Sequence, residues 1–186
     1  SEWLMYSAIL LTCTLTAEHD DGKPLFVDTK VPLGDLVAPL CVALVNQIEK
    51  SSPAVNRQIT SEVVDNALMG CFLNVNALLT RSDLKVAADD LGNEAIRALM
   101  DAENSTRFND LLLSTFNESR DNPVLFGPCA IFLRDLFLHP TACLVYYQND
   151  LSVLIDILLR HMSDIEEDSP VRPHLLCICY GLVVNR

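Results

Sequence analysis

The sequence predicts an all-α fold, an armadillo-like or HEAT-like helical solenoid formed as one domain over residues 1–186. Three observations carry this. Apolar residues recur at helical spacing through most of the chain. Alternating apolar and polar runs bounded by Asn-Gly or Asp-Gly turns, which would mark strands, are absent. The breaks are short and carry proline, at residues 22–24, 51–53, 121–123 and 139–140.

Residues 2–18 form the first expected helix. The apolar stretch 3–17 has no basic segment before it and no initiator Met, so it reads as a buried helix inside a longer protein rather than a signal peptide. Residues 19–31 are the one connection of length, a surface excursion. Helices follow over 33–50 and 59–79. In the second, Val64, Leu68, Cys71, Phe72, Val75, Leu78 and Leu79 share a side, while Asn74 and Asn76 interrupt the apolar run. A buried amide needs partners, so one of the two is expected to cap or bridge a neighbouring loop.

Further helices are expected over 84–100, weakened at Gly92, over 105–118, and over 123–138 with Pro123 in its first turn. The clearest covers 150–165, where Leu151, Leu154, Ile155, Leu158, Met162 and Ile165 fall on one face. Asn149 is its expected N-cap, Asp150 sits at the positive end of the dipole, and the acidic run 164–168 before Pro170 marks the exit. A last helix over 170–185 takes Pro170 into its first turn. Its apolar run 181–184, without a capping unit, predicts that the chain is a truncated part of a longer array. Helices of this length joined by tight turns suit about four stacked units. A non-repeating bundle is the alternative, since periodicity does not separate the two.

Composition bounds the function. With 186 residues and half of them apolar, the chain can bury roughly 70% of its unfolded surface without disulfides or a structural metal. The formal charge is −12, spread as −5 over residues 1–80 (4 basic, 9 acidic) and −7 over 81–186 (9 basic, 16 acidic). No basic cluster is available to replace condensed counterions, so nucleic acid and anionic membrane surfaces are excluded as partners. Attraction to basic partner surfaces, weakened by salt, is expected instead. No apolar run approaches the roughly 18 residues of a membrane span. The longest, 36–45, contains Pro39.

The seven cysteines are scattered, mostly within apolar runs, and read as buried free thiols in a reducing compartment. No Cys-x-x-Cys occurs, so no metal is expected. Phosphate loops, dinucleotide fingerprints and nucleophile elbows are missing. His161 reads as a helix-surface side chain and His139, before Pro140, as a helix terminus. The acidic runs at 89–90 and 166–168 read as solvated faces. The expectation is a protein without catalysis, cofactor or small-molecule substrate.

The run from Asn122 is more specific. His139-Pro140-Thr141-Ala142 is followed by Tyr146-Tyr147-Gln148-Asn149-Asp150-Leu151 and by Val153-Leu154-Ile155-Asp156-Ile157, with Arg160 next. Residues 122–185 thereby resemble the C-terminal leucine-rich armadillo domain of the Nck-interacting SH3-adaptor family and its fungal relatives. The first 80 residues match it only in helical character. The resemblance implies binding to the actin-related protein 2/3 complex, and through it indirectly to actin. It further implies activation without a pre-existing filament to give unbranched filaments, in the cytoplasm at cortical actin structures. The alternative is a generic armadillo or HEAT scaffold that binds peptides or a small GTPase.

Within the motif, Tyr146, Asn149, Asp150 and Asp156 have structural readings. Asn149 caps, Tyr146 and Tyr147 pack the turn with their hydroxyls in water, and Asp156 pairs with Arg160 on an exposed face. Exposed side chains supply the contact candidates: Arg134, Asp135, Tyr147, Arg160 and His161. A flat surface around Arg160 would suit the complex, and a long asparagine-lined groove would suit a peptide.

Overall fold

The computed structural model describes residues 33–50, 60–80, 93–146 and 148–185. Among these residues there are seven α-helices and no strand: α1 (Leu33–Lys50), α2 (Thr60–Leu79), α3 (Glu94–Met100), α4 (Thr106–Glu118), α5 (Pro123–Leu138), α6 (Gln148–Asp164) and α7 (Arg172–Val184). Short 3-10 turns follow α4 at Ser119–Asp121 and α5 at Ala142–Val145. The helix expected over 2–18 and the connection at 19–31 lie outside the described residues. The chain divides into two compact units, Ser1–Glu103 and Asn104–Arg186.

In the first unit α1 packs on α2 and α3. Val37, Cys41, Leu44, Val45 and Ile48 of α1 are buried at helical spacing. The expected face of α2 is buried at Leu68, Cys71, Phe72 and Val75, but Met69 and Leu73 are buried too. The helix is covered on more than one side because both α1 and α3 lie against it. Asn76 is fully buried, and its Oδ1 accepts from Asn93 Nδ2 at 2.8 Å. This is the asparagine bridge expected of a buried amide in this helix.

Asn93 in turn corrects the helix expected over 84–100. Its ψ of 104° is non-helical, and its side-chain oxygen accepts from the backbone N–H groups of Ala95 and Ile96, so the helix starts at Glu94. An N-cap asparagine satisfies orphan donors that a continuous helix would bond to its own preceding turn. Residues 84–92 of that expectation lie outside the described residues.

In the second unit α4 packs on α5 and α6, and α5 packs on α7. Asn109 Nδ2 donates to the Val145 carbonyl before the start of α6, at 3.1 Å. Near the other end of α4, the Phe116 carbonyl faces His161 Nε2 at 3.1 Å. The two helices therefore run parallel. α5 and α7 are parallel as well: Arg134 meets His174, and Phe137 meets Asn185 further along both helices. Their approach is close enough that a Cβ on Gly181 would lie 2.5 Å from the Phe137 carbonyl oxygen, so glycine is required there. The aromatic core joins Phe108 to Phe132 edge-on, stacks Phe116 with Phe126, and sets Phe137 against Tyr146 at 5.5 Å.

The bounds of α6 and α7 shift from expectation. Tyr146 is extended, 1% exposed and packed on Phe137. The chain turns there and α6 starts at Gln148. Asn149 is consequently inside the helix and is not its N-cap, whereas Asp150 does lie in the first turn. Successive turns, Ser169 N–H to the Glu166 carbonyl and Arg172 N–H to the Ser169 carbonyl, delay α7 to Arg172. Pro173 occupies its first turn and Pro170 precedes it.

Candidate interaction surface

The buried face of α6 is Leu154, Ile157, Leu158 and His161. Ile155, expected inside, is 44% exposed. The face is rotated because α4 lies on the side of Ile157 and His161, where the Phe116 carbonyl offers a hydrogen-bond acceptor. His161, expected on the surface, is fully buried, with ring centroids of Phe116 and Phe126 at 4.8 and 4.9 Å. Burial holds its pKa below the ordinary 6.5, and Arg160 and Arg120 act in the same direction. The Phe116 carbonyl and Asp164 oppose them. With Nε2 donating to Phe116, Nδ1 carries the lone pair and makes no hydrogen bond among the described residues.

Arg160 is exposed, as expected, but it does not pair with Asp156. Its guanidinium reaches across to α4 and donates to Asn117 Oδ1. That cross-helix amide displaces the expected i, i+4 partner, and Asp156 stays solvent-exposed. Arg134 and Asp135, expected on the surface, are largely covered, with side chains 22% and 14% exposed. Arg134 donates through Nε to Asp135 at 2.8 Å and lies 3.1 Å from His174 Nδ1. The packing of α7 on α5 is what covers them. Burial and the neighbouring guanidinium hold the His174 pKa low. Tyr146, expected with its hydroxyl in water, is buried, and that burial, with Asp150 behind it, pushes its pKa up. Tyr147 lies outside the described residues.

Arg160 lines a shallow, open depression. A groove of about 490 Å³ runs between α4 and α6. Leu113 and Ile157 form its floor, Val153 its rim, and Asp110, Asp150 and Asp156 bring it acidic charge. Neither the groove nor the covered histidine was legible in the motif. Both depend on which face α4 meets, and the one available signal was Asp110 falling three and seven residues before Leu113 and Asn117 on one stripe of its helix.

Chemistry elsewhere is sparse. Burial pushes the Cys41 and Cys129 thiols up to about 12, with Glu94 adding to the effect at Cys41. None of the six cysteines among the described residues is in a disulfide, and four of them are buried. Among those residues no three His, Cys, Asp or Glu side chains converge as a metal set, and no helix is long and apolar enough to cross a membrane. What the second unit does offer is exposed apolar side chains on its helices, including Val153, Leu159, Leu176 and Tyr180. Such a surface is suited to holding another protein.

Comparison with known proteins agrees with the motif. Protein LDB17 of Saccharomyces cerevisiae is 36% identical over 101 residues, covering 52% of this chain and 20% of that protein. Protein LDB17 of Eremothecium gossypii is 31% identical over 126 residues, covering 67% of this chain and 27% of that protein. The chain thus spans about a fifth to a quarter of the curated relatives it matches. The leucine-rich domain of SPIN90/Ldb17 matches residues 61–186, well beyond the 122–185 segment that carries the motif. The chain belongs to the SPIN90/Ldb17 leucine-rich domain family.

Proposed function

We propose that this chain is a protein-binding activator of the actin-related protein 2/3 complex, promoting unbranched actin filaments without a pre-existing filament. Family membership over residues 61–186 is the observation that carries this reading. The family is not one of enzymes, and the work would be done by binding. An activator of this kind must bind the active arrangement of the complex more tightly than the inactive one, because equal affinity for both shifts nothing.

Rigidity suits that task. The contacts joining α4 to the segment of α6 span 36 to 45 residues, and those joining α5 to α7 span 40 to 48. Two parallel helix pairs at such offsets bracket the roughly 40–47-residue repeat of armadillo and HEAT arrays, which supports the solenoid reading. A stack of this type presents an extended surface able to hold neighbouring subunits in one orientation. Arg160 is the contact residue we retain, together with Tyr147. His161 leaves the contact set because a fully buried ring has no surface to offer, and the covered Arg134 and Asp135 rank below Arg160. The place of action in this reading is the cytoplasm, at cortical actin structures.

The test is seedless actin assembly with the purified complex, with and without this chain, imaging filaments for branches. Acceleration that depends on dose and on the complex, with linear filaments, is the expected result. No acceleration, together with no binding of the complex, would overturn the reading.

A further inference from the structure

We propose that the groove between α4 and α6 is the docking site for a short basic segment of a partner protein, in which Lys or Arg side chains flank one or two apolar ones. The proposal rests on the reading above, in which the partner is the actin-related protein 2/3 complex, and it names the chemistry that the complex must bring to this face.

Charge and shape both point to this occupant. The two helices run parallel, so their N-terminal ends lie together. Asp110 lies near the start of α4 and Asp150 in the first turn of α6, and both line the groove, which places the two carboxylates at one end of it. Asp156 follows on the exposed side of α6. Asp110 and Asp156 make no ion pair among the described residues. The one cation lining the groove is Arg160, already engaged by Asn117 at the far end. The carboxylates of Asp110 and Asp156 against one engaged guanidinium leave the groove net negative.

Between the charges the exposed apolar surface is that of Val153, beside the covered side chains of Leu113 and Ile157. Leu113 and Ile157 are 7% and 5% exposed at the floor, and Val153 is 51% exposed at the edge. A purely acidic patch would hold only small cations, whereas the exposed aliphatic side chain of Val153 beside carboxylates fits the stem of a Lys or Arg and a neighbouring aliphatic side chain. From Asp150 to Arg160 the helix rises about 15 Å, enough for a segment of roughly ten residues if helical or about five if extended. Nucleic acid is repelled by this groove. A second copy of this chain, itself at −12, is also disfavoured.

The test uses the whole 186-residue chain with two probes: the purified complex, and a synthetic 12-residue peptide of alternating Lys-Lys and Leu-Leu pairs followed by fluorescence anisotropy. The groove variant is Asp110→Lys with Asp156→Lys. Its control is Glu166→Lys with Asp168→Lys, which changes the net charge equally at a distant acidic loop. Both groove positions are exposed, and Asp110→Asn with Asp156→Asn tests the same site with a smaller change, each variant being checked for an unaltered melting midpoint.

The groove variant is expected to weaken both probes about tenfold, the neutral one by less, and the control by under about twofold. Binding of the complex by the wild type with equal affinity in the groove variant would overturn the docking site and leave the proposed function standing. A wild type that ignores the complex but binds the peptide in a groove-dependent way would overturn the proposed function and keep the groove as a basic-segment site. Peptide binding that is absent, or equally weakened by the control, would overturn the groove itself.

Discussion

His161 on α6 points its Nε2 at the carbonyl of Phe116 on α4, 45 residues earlier, at 3.1 Å. One polar contact inside an aromatic cluster thus fixes how two parallel helices meet, and it sets the pH response of the fold. Burial favours the neutral ring, so the unfolded chain takes up a proton more readily than the folded one. Stability contributed by this effect is complete above the ordinary histidine value of 6.5 and is lost as pH falls below it. His174, with its pKa held down by burial and Arg134, acts in the same sense. Urea midpoints should therefore fall between pH 7.5 and pH 5, and His161→Gln should flatten that dependence.

His161→Ala should be costly at every pH. It removes the ring packed against Phe116 and Phe126 and leaves a buried carbonyl without its donor, a loss of about 2–3 kcal/mol. Chemical denaturation of the variant at pH 7.5 measures it.

Gly181→Ala should destabilise the second unit by about 1–3 kcal/mol. The added methyl meets backbone atoms of Phe137, which no side-chain rotation can relieve. A melting midpoint equal to the wild type would mean that α5 and α7 can separate freely.

Arg160→Ala should separate stability from function. Its hydrogen bond to Asn117 is on the surface, so the melting midpoint should stay within about 0.5 kcal/mol of wild type. Under the proposed function, stimulation of filament assembly should fall several-fold, as the loss of an exposed arginine contact implies.

Thiol reactivity should follow burial. With iodoacetamide at pH 8 under native conditions, Cys177 and Cys179 should react ahead of Cys41, Cys71, Cys129 and Cys143. Cys41 and Cys129, held near 12, should be the slowest. Peptide mass mapping over a time course gives the order.

Much of this architecture is legible in the linear chain. Helical spacing located α1, α2, α4 and α5 to within a residue at each end, because the period of apolar side chains and the proline and asparagine signals at helix ends are local properties. The run from Tyr146 to Arg160 located the family. A buried amide demands a partner, so one of Asn74 and Asn76 is expected to cap or bridge, and the structure shows Asn76 doing so to the cap of the next helix.

The rest was decided by packing between segments distant in sequence. Whether His161 or Ile155 faces inward depends on which side of α6 meets α4, and α6 carries apolar side chains on both. Arg134 and Asp135 are covered by a helix that begins 37 residues after Asp135. Gly181 looks like one residue in an apolar run until the Phe137 backbone lies against it. The sequence determined the helices and the family, which are encoded in local pattern. Tertiary structure decided the burial of His161, the need for Gly181 and the acidic groove, because each arises where two helices come together.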